Sequence, residues 1–445
     1  MQTSATVSEA VPAPRTASGG WPMVFVFLFF YVVSFIDRSI INMMVQPIER
    51  DLGITDFEMS LLLGPAFGIF YVLCGIPIGG LVDRFPRGKM TAIGVAIWGT
   101  ATAGCGLASS YLTLFIGRMG VGVGESVLTP AAHSLISDTF PKRKLSTALA
   151  VYAMGAIVGA GLAKAIGGFV VQLTADAHVY AIPGLGDIYP WQAVFLCVSL
   201  FTLLCLPLTA LLREGPDGRS RQTHAEAVKD GAATFRELLR AHPMIFLGMP
   251  TAFGLIAILA NAYTAWFPTF MMRTYGWAPA AVGLGLGIQM ILSGFLGQVV
   301  GVYMVERMTA RGVPDAHVRF PMLGMFVSAP LAIVGFLGGS AWLFLPATAA
   351  FYVLSYSFFG YATAGIQQFT PSHLRGRVSA LFLAIVTLVG TGLGPPATGL
   401  LTEYVFADKA KLGLSLAVVT LAVAPLAVLN LMLVGRNIRS MRRAA

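Results

Sequence analysis

The chain has 445 residues, 56% of them hydrophobic and only 11% charged, with a formal net charge of +9. A water-soluble protein of that length needs far more charge to cover its surface, so a soluble enzyme or a soluble nucleic-acid-binding domain is excluded. In lipid every backbone polar group must bond within the chain, which leaves helices or closed barrels. The apolar runs are about 20 residues or longer, the length that crosses ~30 Å of hydrocarbon as a helix, whereas a barrel shows shorter alternating segments.

Residues 1–20 are rich in Ser, Ala, Pro and Thr and lack the charged start and short apolar core of a signal peptide, so they read as a disordered cytoplasmic tail. Twelve spans follow, at 21–46, 57–82, 89–108, 111–137, 145–171, 191–212, 243–271, 278–305, 319–338, 341–366, 376–403 and 412–434. The one long polar interior stretch, 213–242, carries Arg213, Arg219, Arg221, Lys229, Arg236 and Arg240, and part of it (225–240) has the pattern of an amphipathic surface helix. The chain therefore divides into a tail (1–20), a six-helix bundle (21–212), a cytoplasmic linker (213–242), a second six-helix bundle (243–434) and a cytoplasmic tail (435–445). With the N-terminus inside, Arg50, Arg273, Lys409 and Lys411 fall outside and Arg38, Arg118 and Lys164 fall within spans. That leaves 22 of the 29 Lys and Arg in inside loops and tails, and the positive-inside rule then puts both termini in the cytoplasm.

The halves repeat. A shift of 223 residues brings Gly53 onto Gly276, Gly64 onto Gly287, Asp83 onto Glu306 and Arg84 onto Arg307; a shift of 233 brings Lys144 onto Arg377, Ser146 onto Ser379, Gly159 onto Gly392 and Gly161 onto Gly394. The expected fold class is an all-α membrane protein of twelve transmembrane helices in two pseudo-symmetric six-helix bundles. Such a repeat places a substrate site at the midplane between the halves.

Charges buried at the bilayer centre cost about 2.5–3.5 kcal/mol each on insertion scales, so Asp37, Arg38, Arg118 and Glu125 in spans 1 and 4 call for a function. Arg118 and Glu125 are seven residues apart, two helical turns, and share a face; Asp37 and Arg38 are neighbours pointing about 100° apart. The carboxylates of Asp37 and Glu125 are the groups that change charge, and they are the expected proton-coupling residues. Arg118 and Arg38 are the expected anion ligands, with Glu125 competing for Arg118. Lys164, in the outer third of span 5, is expected to snorkel to the interface, and His133 to pack between helices. The second half offers polar groups without an intramembrane charge pair, among them Asn261, Tyr263, Gln289 and Tyr356, expected to line an apolar substrate path. Cys74, Cys105, Cys197 and Cys205 sit in apolar runs without metal-type spacing and read as free thiols. With no Ser-His-Asp set and no metal-ligand cluster, no catalytic residue, metal or cofactor is expected, and the chain does not read as an enzyme.

Gly80-Leu-Val-Asp83-Arg84-Phe-Pro-Arg87-Gly-Lys89, between spans 2 and 3, resembles the G-x-L-x-D-R-x-G-R-R loop of the major facilitator superfamily, with one extra residue before Arg87. The resemblance implies conformational gating by Gly80, Asp83, Arg84 and Arg87, with Glu306 and Arg307 as the second copy, and an outward-facing state held by Asp83. Arg118 with Gly122, Gly124 and Glu125 resembles a second signature of that superfamily, and Gly155, Gly159, Gly161, Gly167 and Gly168 resemble its antiporter signature without the usual Pro. Within it, Phe35-Ile-Asp37-Arg38, together with Arg118 and Gly122-Val-Gly124-Glu125-Ser126, is similar to the Spinster group of lipid transporters. That likeness implies a bacterial inner-membrane protein, monomeric among membrane lipids, which moves lysolipids or sphingolipid-like amphiphiles with protons by alternating access. The alternative is a proton-coupled transporter of small organic anions or drugs.

Overall fold

The computed structural model describes residues 20–174, 179–182, 186–212, 235–371 and 374–444. Six helical segments precede the polar interior stretch: α1 (Trp21–Ile40), α2 (Asp56–Leu63 and Pro65–Arg84, meeting at Gly64), α3 (Arg87–Gly106), α4 (Tyr111–Glu125 and Leu128–Thr139), α5 (Lys142–Leu173) and α6 (Pro190–Leu204). Six follow it: α7 (Met249–Tyr275), α8 (Pro279–Ala310), α9 (Ala316–Leu337), α10 (Ala341–Phe351 and Phe359–Gln367), α11 (Arg375–Leu400) and α12 (Leu412–Ala444). Ten of the segments are long and apolar enough to cross a membrane. The exceptions are α3, rich in Gly and Thr, and α4, which breaks at Ser126 and Val127 just past Glu125.

Local chemistry sets the ends. Thr55 and Glu58 form a reciprocal capping box at the start of α2, as Ser110 and Thr113 do for α4. Pro65, Pro190 and Pro279 occupy first-turn positions, where a missing N–H costs nothing. Gly53 and Gly276, which the 223-residue shift superimposes, both end helices in the left-handed region at φ 64°, where a Cβ would be strained. Gly64 and Gly287, paired by the same shift, mark the two crossings between bundles. A Cβ on Gly64 would strike the Thr391 carbonyl where α2 meets α11, and one on Gly287 would lie 2.7 Å from the Gly161 carbonyl where α8 meets α5.

Two expectations change, and one element is new. Span 6 stops as an α-helix at Leu204 and continues as a 3-10 turn over Leu206–Leu211, because Pro207 cannot extend the α ladder. Residues 435–444, expected as a tail, continue α12 as helix, and the Arg439 guanidinium there binds Asp315 at the start of α9. A short antiparallel hairpin, β1 (Tyr180–Ile182) with β2 (Gly186–Ile188), joins α5 to α6. Of the amphipathic linker helix expected at 225–240, a helix over 235–241 is seen and the remainder lies outside the described residues, as do the first 19 residues.

The two bundles meet on one face of the molecule. Arg273, at the end of α7, donates to both Asp56 carboxylate oxygens at 2.9 Å and to Glu49 at 2.8 Å. Lys409 reaches Glu49 at 2.8 Å and Asp56 at 3.6 Å, and the Asp56 backbone N–H donates to Glu403 at 3.3 Å. Glu49 lies on the short helix Val45–Leu52 between α1 and α2. Nearby, Gln172 accepts from the Ala280 N–H at 3.1 Å. We call this the sealed face. Toward the opposite face, where the N-terminal end of α1 and the C-terminal end of α12 lie, a Cβ added to Gly79, Gly80 or Gly376 would meet nothing within 4 Å.

Candidate functional site

The first bundle gathers the four intramembrane charges. Asp37 is fully buried and turns toward α3, where its Oδ2 accepts the Trp98 indole N–H at 2.8 Å and the Thr102 hydroxyl. Arg118, also fully buried, comes within 3.9 Å of Asp37 Oδ1 and donates to the Arg38 carbonyl at 3.3 Å. Arg38, on the next face of α1, donates to Glu125 Oε2 at 2.8 Å, and the Ser34 hydroxyl donates to the same oxygen at 3.0 Å. Sequence neighbours thus serve two separate ion pairs, as their angular separation on a helix requires.

The pairing differs from the sequence expectation. Glu125 is bridged to Arg38, not to Arg118. A seven-residue spacing places Arg118 and Glu125 on one face but two turns apart, about 10 Å along the axis, and α1 crosses beside both turns and supplies the nearer partner to each. Burial divides the arginines as well: Arg118 has no exposed side-chain surface, whereas Arg38 keeps 25% of its side-chain surface accessible. The Arg38 guanidinium lies 4.6 Å from the Phe35 ring centroid, 4.3 Å from Phe67 and 5.0 Å from Tyr71, so its open side is framed by aromatic faces. Tyr31 stacks on Tyr152 at 4.5 Å, and the Tyr152 hydroxyl is 3.2 Å from that of Thr129, which extends the aromatic wall toward α5.

The second bundle's expected ligands fall into two groups. Tyr263 lies in the bundle core: its ring packs on Phe267, Phe336 and Phe351, and its hydroxyl is 2.6 Å from that of Thr420. A molecule between the bundles does not reach it in this state. Asn261, Gln289 and Tyr356 are half-buried. Asn261 donates to the Ala257 carbonyl at 2.8 Å and accepts from Thr391 at 3.3 Å. Gln289 ties α8 to α10 through the Leu345 carbonyl at 2.9 Å and the Thr348 hydroxyl at 2.8 Å. Tyr356, on the π-helical turn Tyr352–Tyr356 of α10, meets the Tyr352 ring edge-on at 5.7 Å.

At the loop between α2 and α3, Arg84 is exposed and Arg87 pairs with Asp138 of α4 at 2.6 Å. The Asp83 side chain lies outside the described residues. Glu306 and Arg307 are exposed, with Arg307 donating to the Tyr303 hydroxyl at 3.1 Å. His133 is exposed and meets the Tyr152 ring edge-on at 5.8 Å.

Sequence reasoning passed over several participants. Glu49, Asp56, Arg273 and Lys409 look like ordinary loop charges until the fold brings the two halves together. Lys164 does not snorkel: it is 3% exposed and donates to the Thr264 carbonyl of the other bundle at 3.1 Å. The missed signal is Pro268, four residues after Thr264.

Comparison with known proteins agrees with this architecture. The family model described as the Major Facilitator Superfamily matches residues 27–395. An MFS-type efflux pump of Mycolicibacterium smegmatis is 28% identical over 412 residues, 92% of this chain and 90% of that protein. Protein spinster of Drosophila melanogaster is 25% identical over 333 residues, 73% of this chain but 52% of that longer protein. The crystal structure of a bacterial homologue of the human lysosomal transporter Spinster, inward-facing and unoccupied, superimposes with a TM-score of 0.79 at 23% identity, covering 96% of this chain and 98% of that one, which shows a shared fold. With two six-helix bundles in contact across one face and a family match over most of its length, the chain belongs to the Major Facilitator Superfamily and is a multi-pass membrane transporter rather than an enzyme.

Proposed function

We propose that this transporter couples protons to the movement of an amphiphilic anion of lysolipid or sphingolipid type by alternating access. With both termini in the cytoplasm of a bacterial inner membrane, the sealed face is periplasmic and the described state faces inward. The observation that carries the reading is the Arg38–Glu125 pair: a 2.8 Å bridge in which the carboxylate is buried and the guanidinium keeps an open, aromatic-framed side. An ionised Glu125 holds Arg38. A protonated Glu125 releases it, and the guanidinium fork then takes a phosphate or carboxylate head group in two parallel bonds. Proton and anion binding thus favour each other without sharing an atom. Asp37 stays with Arg118, Trp98 and Thr102 and fixes the orientation of α1. The tail lies between the bundles, along the wall that holds Asn261, Gln289 and Tyr356. Asp83, with Gly80, Arg84 and Arg87 and the matching Glu306 and Arg307, holds the opposite, outward-facing state.

Binding of a labelled lysophosphatidic acid at a series of pH values tests this. Wild type should bind more tightly as pH falls. Glu125→Gln should bind at the acid-limit affinity at every pH, and Arg38→Gln should lose about tenfold or more, the worth of a charge-assisted hydrogen bond. A Glu125→Gln variant that keeps the wild-type pH response removes Glu125 from the coupling.

A second reading, export of drugs or small organic anions, is favoured by the similarity to an efflux pump. Competition by alkyl phosphates of increasing chain length separates the two: affinity that rises with each methylene supports the lipid, and a flat series supports the small anion.

A further inference from the structure

Pro268 lies inside α7. Proline has no N–H, so the carbonyl four residues earlier, that of Thr264, has no donor within its own helix. In hydrocarbon an unmet carbonyl costs several kcal/mol, so it needs a partner from elsewhere. Both partners come from the opposite bundle: the Lys164 ammonium at 3.1 Å and the Asn42 amide at 3.3 Å. The Thr264 side chain is anchored in its own bundle, its hydroxyl 3.3 Å from that of Tyr352.

Lys164 is the unusual member. It is 3% exposed, and among the described residues it forms no ion pair. Its depth follows from the helix beside it: Gly159 of α5 abuts Val32 and Phe35 of α1, and Gly167 abuts Ile40 and Met43. Position 164 is therefore level with Asp37 and Arg38, where α5 of the first bundle touches α7 of the second. Had its partner been a carboxylate, the lysine would be neutralised in every state. The Thr264 carbonyl accepts one of the ammonium's three hydrogen bonds and leaves its charge uncompensated. When the sealed face opens, α5 parts from α7 and the carbonyl is lost, and an ammonium within the membrane span then requires an anion.

We propose that Lys164 is a second anion-binding residue of the transport cycle, presented to the substrate when the sealed face opens and withdrawn onto the Thr264 carbonyl when it closes. The proposal rests on the reading of the cavity as an anion path. Closure substitutes a protein carbonyl for the substrate's head group, so the site's affinity falls as the opposite face opens. That is the change that releases cargo rather than carrying it back.

Dodecyl phosphate and an uncharged dodecyl glycol ether, titrated against purified protein in lipid nanodiscs, provide the test. Lys164→Met should weaken dodecyl phosphate binding by about tenfold or more, Lys164→Arg should keep it within a few-fold, and neither should alter binding of the ether. Pro268→Ala restores a backbone donor to the Thr264 carbonyl, which then competes with Lys164. It should populate the state open at the sealed face and raise dodecyl phosphate affinity, and Lys164→Met should abolish that rise. Wild-type dodecyl phosphate affinity in Lys164→Met, with Arg38→Gln still impaired, overturns the inference and leaves the proposed function standing. Equal loss of both ligands in Lys164→Met shows a structural role only and overturns it as well. Absence of dodecyl phosphate binding to wild type removes the anion path and this inference together.

Discussion

Replacing Arg273 with Ala should unseal the transporter. In the sealed state Arg273 makes three hydrogen bonds to two carboxylates, Asp56 with no exposed side-chain surface and Glu49 with 5%. Removing one partner from a buried ion pair costs about 3–5 kcal/mol, because a buried charge is left behind. Here Lys409 stays, in contact with both carboxylates but 51% exposed, so it offsets part of the loss. A net ~2 kcal/mol remains. It applies only to the sealed state, since both carboxylates are hydrated once the face opens. Each ~1.4 kcal/mol is tenfold, so the ratio of sealed to open should fall about thirtyfold. Ser60 reports on it, being fully buried where Gly399 of α11 crosses α2. In a background without native cysteines, Ser60→Cys should react with a membrane-impermeant maleimide about thirty times faster when Arg273 is Ala, and at an intermediate rate when it is Lys. Labelling within twofold of the parent would refute the idea that these ion pairs hold the face shut.

Three further outcomes follow from the same geometry. Burial first, and then the Asp56 carboxyl beside it, push the Glu49 carboxyl above the usual carboxylate range, while Arg273 and Lys409 pull the other way. A proton therefore binds the sealed state more tightly than the open one, so this contribution to sealing is complete below the usual carboxylate value and is lost as pH rises through the raised one. Maleimide labelling of Ser60→Cys should speed up from acid to alkaline pH, and Glu49→Gln should flatten that response. Arg118→Ala should destabilise the fold by about 3 kcal/mol, read as a lower thermal unfolding temperature in detergent, because Asp37 would stay buried without its cation. Trp98→Phe should cost about 1.5–3 kcal/mol in the same assay, since it takes one donor from that carboxylate.

How far the sequence could be read depends on the length scale of the signal. Helices were legible because hydrocarbon demands about 20 apolar residues whatever they pack against. The pseudo-symmetry was legible where it rests on backbone geometry, as at Gly53 and Gly276, which share one left-handed turn. The cluster of Asp37, Arg38, Arg118 and Glu125 stood out because each charge is too costly to be incidental. Their partners were not legible. Spacing within α4 relates Arg118 to Glu125, but only the rotation of α1 against it decides that Arg38 reaches Glu125 first. Tyr263 shows the same limit: α7 is apolar nearly all round, so its pattern does not say which tyrosine faces the cavity and which the bundle core. The seal was invisible for a further reason. Glu49, Asp56, Arg273 and Lys409 lie at helix ends, where charges are ordinary, and their meeting spans up to 360 residues of chain.

The placement of these groups divides the work of the molecule. All four charges of the cluster belong to the first bundle, on α1 and α4, and α3 supplies Trp98 and Thr102 to Asp37. The Asp37–Arg118 attraction is therefore internal to one bundle and does not by itself favour either state. State-dependent energy resides where the bundles touch: in Arg273 with Glu49 and Asp56, in Lys164 and Asn42 on the Thr264 carbonyl, and in the crossings at Gly64 and Gly287. The link between the two sets is α2. Its Phe67 and Tyr71 rings hold the Arg38 guanidinium, and one turn away its Gly64 and Gly68 press against Thr391 of the second bundle. A side chain that swings from Glu125 toward an anion must leave or drag those rings, and a tightly packed helix transmits such a shift as a rigid body rather than absorbing it. The coupling between proton, cargo and gate then needs no chain of intermediaries longer than one helix.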